Sequence, residues 1–190
     1  MVYMFFLFKQ QLNRLINFIN FKKQNIFIEK NMDINGLLFV KNEGIIKVGN
    51  IFHVNSGRAY NPLGNDIVKL VTKKNAELII GDDVGISNCT IVSTNSIKIG
   101  DKVAIGGGVC IIDSDFYSIH LTERFSGANI VSKPVIIHNG VFIGAYSKIL
   151  KGVTIGENSV IGLGSIVTSN ISPNEIWGGC PAQFIKKVEL

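Results

Sequence analysis

The chain has 190 residues, 46% of them apolar and only 17% charged, which excludes a disordered chain and favours one folding unit with a large buried core. Its net charge of +5 is carried by scattered lysines without a basic helix or stacking aromatics, so nucleic acid is not the expected partner. Cys89, Cys110 and Cys180 stand far apart with no CxxC spacing, which argues against a disulfide framework or a zinc site and for a reducing, cytoplasmic compartment.

The opening run MVYMFFLF is too short to span a bilayer and lacks the basic start and cleavage site of a signal peptide. Leu12, Leu15, Ile16 and Ile19 follow helical spacing, predicting an amphipathic helix from about Phe5 to Lys23. Its apolar face is expected to pack on its own chain or a neighbouring subunit. The alternative is a weak contact with the inner membrane surface, suggested by Phe5, Phe6 and Phe8.

Residues 34–72 read as apolar segments split by the turn-like GRAYNPLGN, and are expected to form irregular opening coils. An internal repeat follows. From Ile137 the chain runs in sixes: IHNGVF, IGAYSK, ILKGVT, IGENSV, IGLGSI, VTSNIS. Each block opens on an aliphatic residue, and the fifth places of the first five are Val141, Ser147, Val153, Ser159 and Ser165. An earlier array runs from Ile80 through blocks opening on Ile86 and Val92, slips by one residue, and resumes at Ile99.

A six-residue period suits neither a helix nor a hairpin meander, but it does suit a short strand and corner repeated around a triangular prism. The first residue of each block would point into the axis with the small fifth residue beside it. Gly81, Gly100, Gly144 and Gly156, which follow the aliphatic residue, are expected at corners whose φ values bulky residues resist. Stacked coils give an all-β parallel β-helix whose hand the period leaves open. The expected organisation is a helical segment over residues 1–30, the prism over 31–172 with an excursion at 113–134, and a closing segment over 173–190. An excursion with polar and aromatic residues inside a regular scaffold is a candidate functional loop.

NPLG, ELIIG, GISNCTIV, the DSDF excursion, SKPVII, VFIGAYSKILKGVTIG, SVIGLGSIVTSN and the ending IWGGCPAQFIKK together resemble the maltose, galactoside and nodulation-factor acetyltransferase group of hexapeptide-repeat proteins. The resemblance runs from about Ile45 to the C-terminus and is nearest to the sugar acetyltransferases found with surface-polysaccharide genes. It implies a left-handed β-helix, a homotrimer with sites between prisms, acetyl-CoA as donor, a sugar, nucleotide-sugar or lipid-linked sugar as acceptor, and no metal. It also implies that Asn88, Asp113 and Phe142 bind the acceptor. Gly144, Ala145, Gly162, Gly164 and Thr168 would run beside CoA, with Lys186 and Lys187 near its phosphates.

The family's general base is a histidine of the excursion, in a sequence like DTDFHSLD; here the chain reads DSDFYSIH, with Tyr117 at the histidine's place. Tyrosine, with an ordinary pKa near 10, is a poor base at neutral pH. Three readings stay open. His120 takes over as base with Asp113 or Asp115 orienting it; an amino-sugar acceptor attacks with Tyr117 as a hydrogen-bonding group; or the protein is catalytically impaired and binds or assembles. A zinc γ-carbonic anhydrase on the same fold is disfavoured, because His53, His120 and His138 lack that family's spacing.

Overall fold

Six-residue blocks that alternate an inward aliphatic with outward neighbours can bury every apolar first place only by stacking coil on coil, and the chain does so. The computed structural model describes residues 2–28, 31–64 and 66–189, with the side chains of the first helix described from Phe8 onward. It is a left-handed parallel β-helix. Face A holds Phe27–Ile28, Ile45–Val48, Glu77–Ile80, Ser96–Ile99, Val135–Ile137 and Thr154–Ile155. Face B holds Met32–Asn35, Phe52–Asn55, Val84–Ser87, Ala104–Ile105, Phe142–Ile143 and Val160–Ile161, and ends in the hairpin Glu175–Gly179 and Ala182–Lys187. Face C holds Phe39–Asn42, Lys69–Thr72, Thr90–Ser93, Cys110–Ile112, Lys148–Ile149 and Ile166–Val167.

The predicted inward positions are the core. Ile137, Ile143, Ile149, Ile155, Ile161 and Val167 are almost completely buried, as are Val141, Ser147, Val153, Ser159 and Ser165. Register partners Ile137 and Ile155, Ile143 and Ile161, and Ile149 and Val167 are each 18 residues apart, three blocks to a coil. The buried hydroxyls are satisfied: Ser147 and Ser165 both donate to Gly162 O, and Ser159 donates to Ser172 O, which removes the cost of an unpaired polar group inside the prism.

Three expectations are corrected. Val92 does not open an inward block; Ile91 and Ser93 point in and Val92 out, because the corner after Ile86 is one residue short and Ile91 pairs with Ile111. The opening coils pair in regular parallel register, and their irregularity is confined to the corner between Asn55 and Lys69. Finally, the second-place glycines have no positive φ; that conformation falls at the fourth place, on Asp83, Lys102, Gly140, Tyr146, Gly152, Asn158 and Gly164. What Gly144 avoids is contact, since a Cβ there would lie 2.7 Å from Ile161 O and Leu163 N of the next coil.

The helix spans Val2–Lys23, and its apolar stripe does not pack on its own chain, the first of the expected partners. Asn13, Asn17 and Phe21 are buried, whereas Leu12, Leu15 and Ile19 are exposed. Asn17 donates to Gly36 O at 2.8 Å and accepts from Leu38 N at 3.1 Å, and Gln24 accepts from Asn42 N at 2.8 Å. The first coil ends in unpaired backbone groups, and a polar stripe satisfies them where an aliphatic one would not. The side chains of Phe5 and Phe6 lie outside the described residues.

Candidate functional site

The predicted site residues fall on two edges and one face of the prism. The edge between faces B and C carries Asn88 and, two and three coils above it, Gly144 with Ala145 and Gly162 with Gly164. The edge between faces C and A carries Thr168 and, leaving the prism after Ile112, the excursion with Asp113, Asp115, Tyr117 and His120. Phe142 stands on face B, half exposed. Lys186 and Lys187 lie on the closing hairpin, where Lys187 pairs with Glu175 at 2.8 Å and Lys186 with Glu189 at 3.7 Å.

Asn88 is buried, and its side chain is engaged throughout. Its amide donates to Asn61 O, Leu63 O and Gly64 O at 2.9–3.0 Å, and its oxygen accepts from Gly57 N at 2.6 Å. It thereby holds the segment 57–64 against the prism. Tyr146, which no sequence motif marks, reaches down from two coils above Asn88, and its hydroxyl oxygen accepts from Gly64 N at 2.9 Å in the same segment. The packing there is close: a Cβ on Gly107 would lie 2.1 Å from Leu63 O.

Higher on this edge the surface opens. Gly162 donates to Trp177 O and accepts from two serines, so its own backbone groups are engaged within the chain. Yet a Cβ at Gly162 would meet nothing nearer than Trp177 O at 3.4 Å, in contrast to Gly144. Packing within the chain does not require glycine at 162. Gly164 has φ +73 and open space where a Cβ would stand.

On the opposite edge Asp113 forms the root of the excursion. It is fully buried, and its carboxylate accepts from Ser93 Oγ, Thr94 N, Thr94 Oγ1 and Asn95 N at 2.7–2.9 Å. Four donors leave that carboxylate little capacity to orient another group. Asp115 accepts from Lys151 Nζ at 2.6 Å, so neither aspartate holds His120. His120 is exposed and precedes a single 3-10 turn, Leu121–Glu123; its backbone N donates to Ser118 Oγ at 3.1 Å. Tyr117 is also exposed.

A second imidazole, His53, is weighed in the sequence only as a zinc ligand, because no motif marks it for another role. His53 lies on face B in register with Asp33 on one side and with Gly85, Ala104 and Phe142 in turn on the other. Its Nδ1 is 3.8 Å from Asp33 Oδ2. The small residues between His53 and Phe142 leave a cleft of about 280 Å³, also lined by Asn55 and Ser87. Strand register, which only the fold sets, is what aligns this row. His53, His120 and His138 lie on different parts of the prism.

Residues 134–169 match the family model described as bacterial transferase hexapeptide (six repeats). Galactoside O-acetyltransferase of Escherichia coli (strain K12) is 42% identical over 101 residues, 53% of this chain and 49% of that protein. The chain thus spans about half the length of that relative. The putative lipopolysaccharide biosynthesis O-acetyl transferase WbbJ of the same strain is 27% identical over 157 residues, 78% of this chain and 75% of that one. Among solved structures, hexapeptide-repeat acetyltransferase VCA0836 of Vibrio cholerae O1 biovar eltor, complexed with acetyl-CoA, superposes with a TM-score of 0.58 over 96% of this chain and 81% of that one, at 19% identity, a likeness of fold. In its matched repeats over residues 134–169 and its 18-residue coils the chain is similar to the hexapeptide-repeat transferases.

Proposed function

We propose that this protein is an acetyltransferase that moves the acetyl group of acetyl-CoA to a sugar hydroxyl or amine in surface-polysaccharide synthesis, in the cytoplasm, at sites completed between the prisms of a trimer. The observation that carries this reading is the placement of the two halves of the site. The glycine-lined edge and the excursion occupy different edges of one prism, so they can face each other only across a boundary between chains. The names of the relatives, galactoside O-acetyltransferase and WbbJ, supply the reaction class and the acceptor class. Acetyl-CoA follows from the resemblance and from the solved neighbour that holds it.

In this reading Gly144, Ala145, Gly162 and Gly164 leave room for the pantetheine arm, and Thr168 belongs to the facing edge. Lys186 and Lys187 lie toward the phosphates. Phe142 lines the acceptor pocket, while Asn88 and Asp113 shape it by fixing segment 57–64 and the neck of the excursion. His120 of one chain reaches the neighbour's glycine edge and removes the acceptor proton as the oxygen or nitrogen attacks the thioester carbon; the thiolate of CoA leaves and is protonated. Tyr117 orients the acceptor.

A second reading, a catalytically impaired protein that binds CoA or sugar, is favoured by one observation: Asp113 and Asp115 are both engaged elsewhere, leaving His120 without an orienting carboxylate. A mass-spectrometric screen of nucleotide sugars, oligosaccharides and lipid-linked sugars with acetyl-CoA separates the two. A gain of one acetyl group on any acceptor is the expected result. CoA binding with no acetylated product across the panel would establish the second reading.

A further inference from the structure

The first helix presents its apolar side outward. Phe8, Leu12, Leu15 and Ile19 recur at i, i+4, i+7 and i+11, one stripe of a helix, and they are 67%, 44%, 55% and 42% exposed. Phe18, half exposed, borders the stripe, and Met32 adjoins it across a small cleft. The opposite side is fixed to the first coil by Gln10, Asn17 and Gln24, so the helix cannot roll over to bury the stripe without breaking those bonds.

The charges of the helix indicate what covers it. Val2–Lys23 contains Lys9, Arg14, Lys22 and Lys23 and no acidic residue. Lys22 and Lys23 follow Ile19 at the end of the stripe, and the Lys22 ammonium lies 4.7 Å from the centre of the Phe18 ring. Arg14 is paired with Asp33 at 3.7 Å, and a second copy of this helix would bring Lys9, Lys22 and Lys23 against the same three lysines, with no acidic residue on either helix to offset them. An anionic lipid surface meets both requirements, taking the aliphatic and aromatic side chains below the headgroups and pairing lysines with phosphates. Among the described residues no helix is long and apolar enough to cross a membrane, so the helix would lie in the interface plane.

We propose that the outward stripe of the first helix docks the protein on an anionic membrane surface, with Phe8, Leu12, Leu15 and Ile19 inserted and Lys22 and Lys23 at headgroup level. The inference is independent of the reaction proposed above. The test is co-sedimentation of the full chain with vesicles of phosphatidylglycerol and phosphatidylcholine, against phosphatidylcholine alone, at low salt and at roughly 0.5 M salt, where charge attraction is screened. The expected result is binding to the anionic vesicles that weakens with salt. The exposed double variant Leu12→Ser, Leu15→Ser and the reversal Lys22→Glu, Lys23→Glu should each reduce partitioning by about tenfold or more while keeping the native circular dichroism. Absence of binding to anionic vesicles, or equal binding by the serine variant, would overturn the proposal. So would a wild-type oligomer that loses mass on the serine substitution, since a second copy would then be what covers the stripe.

Discussion

Lys151 Nζ lies 2.6 Å from Asp115 Oδ1, tying the corner after Ile149 to the neck of the excursion. Both side chains are about 30% exposed, and beyond this pair the excursion carries exposed apolar residues such as Ile119, Leu121 and Phe125. Lys151→Ala should therefore release the loop and leave the prism intact. Faster amide hydrogen exchange over residues 115–131, with unchanged protection in the coils, is the expected observation. Unchanged exchange in the loop would show that the pair does not hold it.

Gly162 and Gly144 occupy the same place in successive coils but should respond differently to substitution. Gly144→Ala brings a Cβ to 2.7 Å from backbone above it and should cost on the order of 1–3 kcal/mol of stability by overpacking. A Cβ at Gly162 makes only ordinary contacts, the nearest being Trp177 O at 3.4 Å, so in Gly162→Leu the prism should stay folded while CoA affinity falls at least tenfold. Calorimetric titration with CoA and thermal unfolding read the two effects separately. Full CoA affinity in folded Gly162→Leu would remove this edge as the cofactor groove.

The excursion offers a test of which residue moves the proton. A positioned base contributes on the order of 10²- to 10⁴-fold in rate, so His120→Ala should lower kcat by that factor with CoA affinity retained, and Tyr117→Phe should cost much less. Tyr117→His restores the family's residue and should raise kcat. Near-normal turnover by His120→Ala would move attention to His53, whose Nδ1 lies 3.8 Å from the Asp33 carboxylate.

Glu175 gives the C-terminal hairpin a pH dependence. The ammonium of Lys187, and next the indole N–H of Trp177, hold its carboxyl below the usual carboxylate range. A depressed carboxylate stabilises the fold above its unfolded-state pKa, and that contribution is lost as pH falls through the lower folded value. Acidification below about pH 4.5 should therefore loosen the hairpin. Trp177, the sole tryptophan, reports it by fluorescence, and Glu175→Gln should remove this step from the titration. A tryptophan signal in Glu175→Gln that titrates as in the wild type would assign the step elsewhere.

The hexapeptide grammar made the prism legible from sequence, because a residue that must enter a narrow interior every sixth place leaves a one-dimensional mark. Ile137 to Val167 and the small fifth places could be assigned inward without coordinates. Val92 could not, since a corner shortened by one residue changes which of two adjacent aliphatics points in, and composition is the same either way.

Other features were decided only by the stacking of coils. The glycines after each aliphatic looked like conformational necessities, but the tertiary structure assigns positive φ to the fourth place and close interlayer contact to Gly144. The helix was legible as amphipathic, while which side met the protein depended on the backbone groups left open by the first coil, and Asn17 satisfies them where Leu15 could not. For the site, the sequence by itself determined the residue types; strand register, a property of the whole stack, separated Thr168 from Gly162 onto different edges and aligned His53 with Phe142, because each coil's length, added over the coils between, sets which residues share a face.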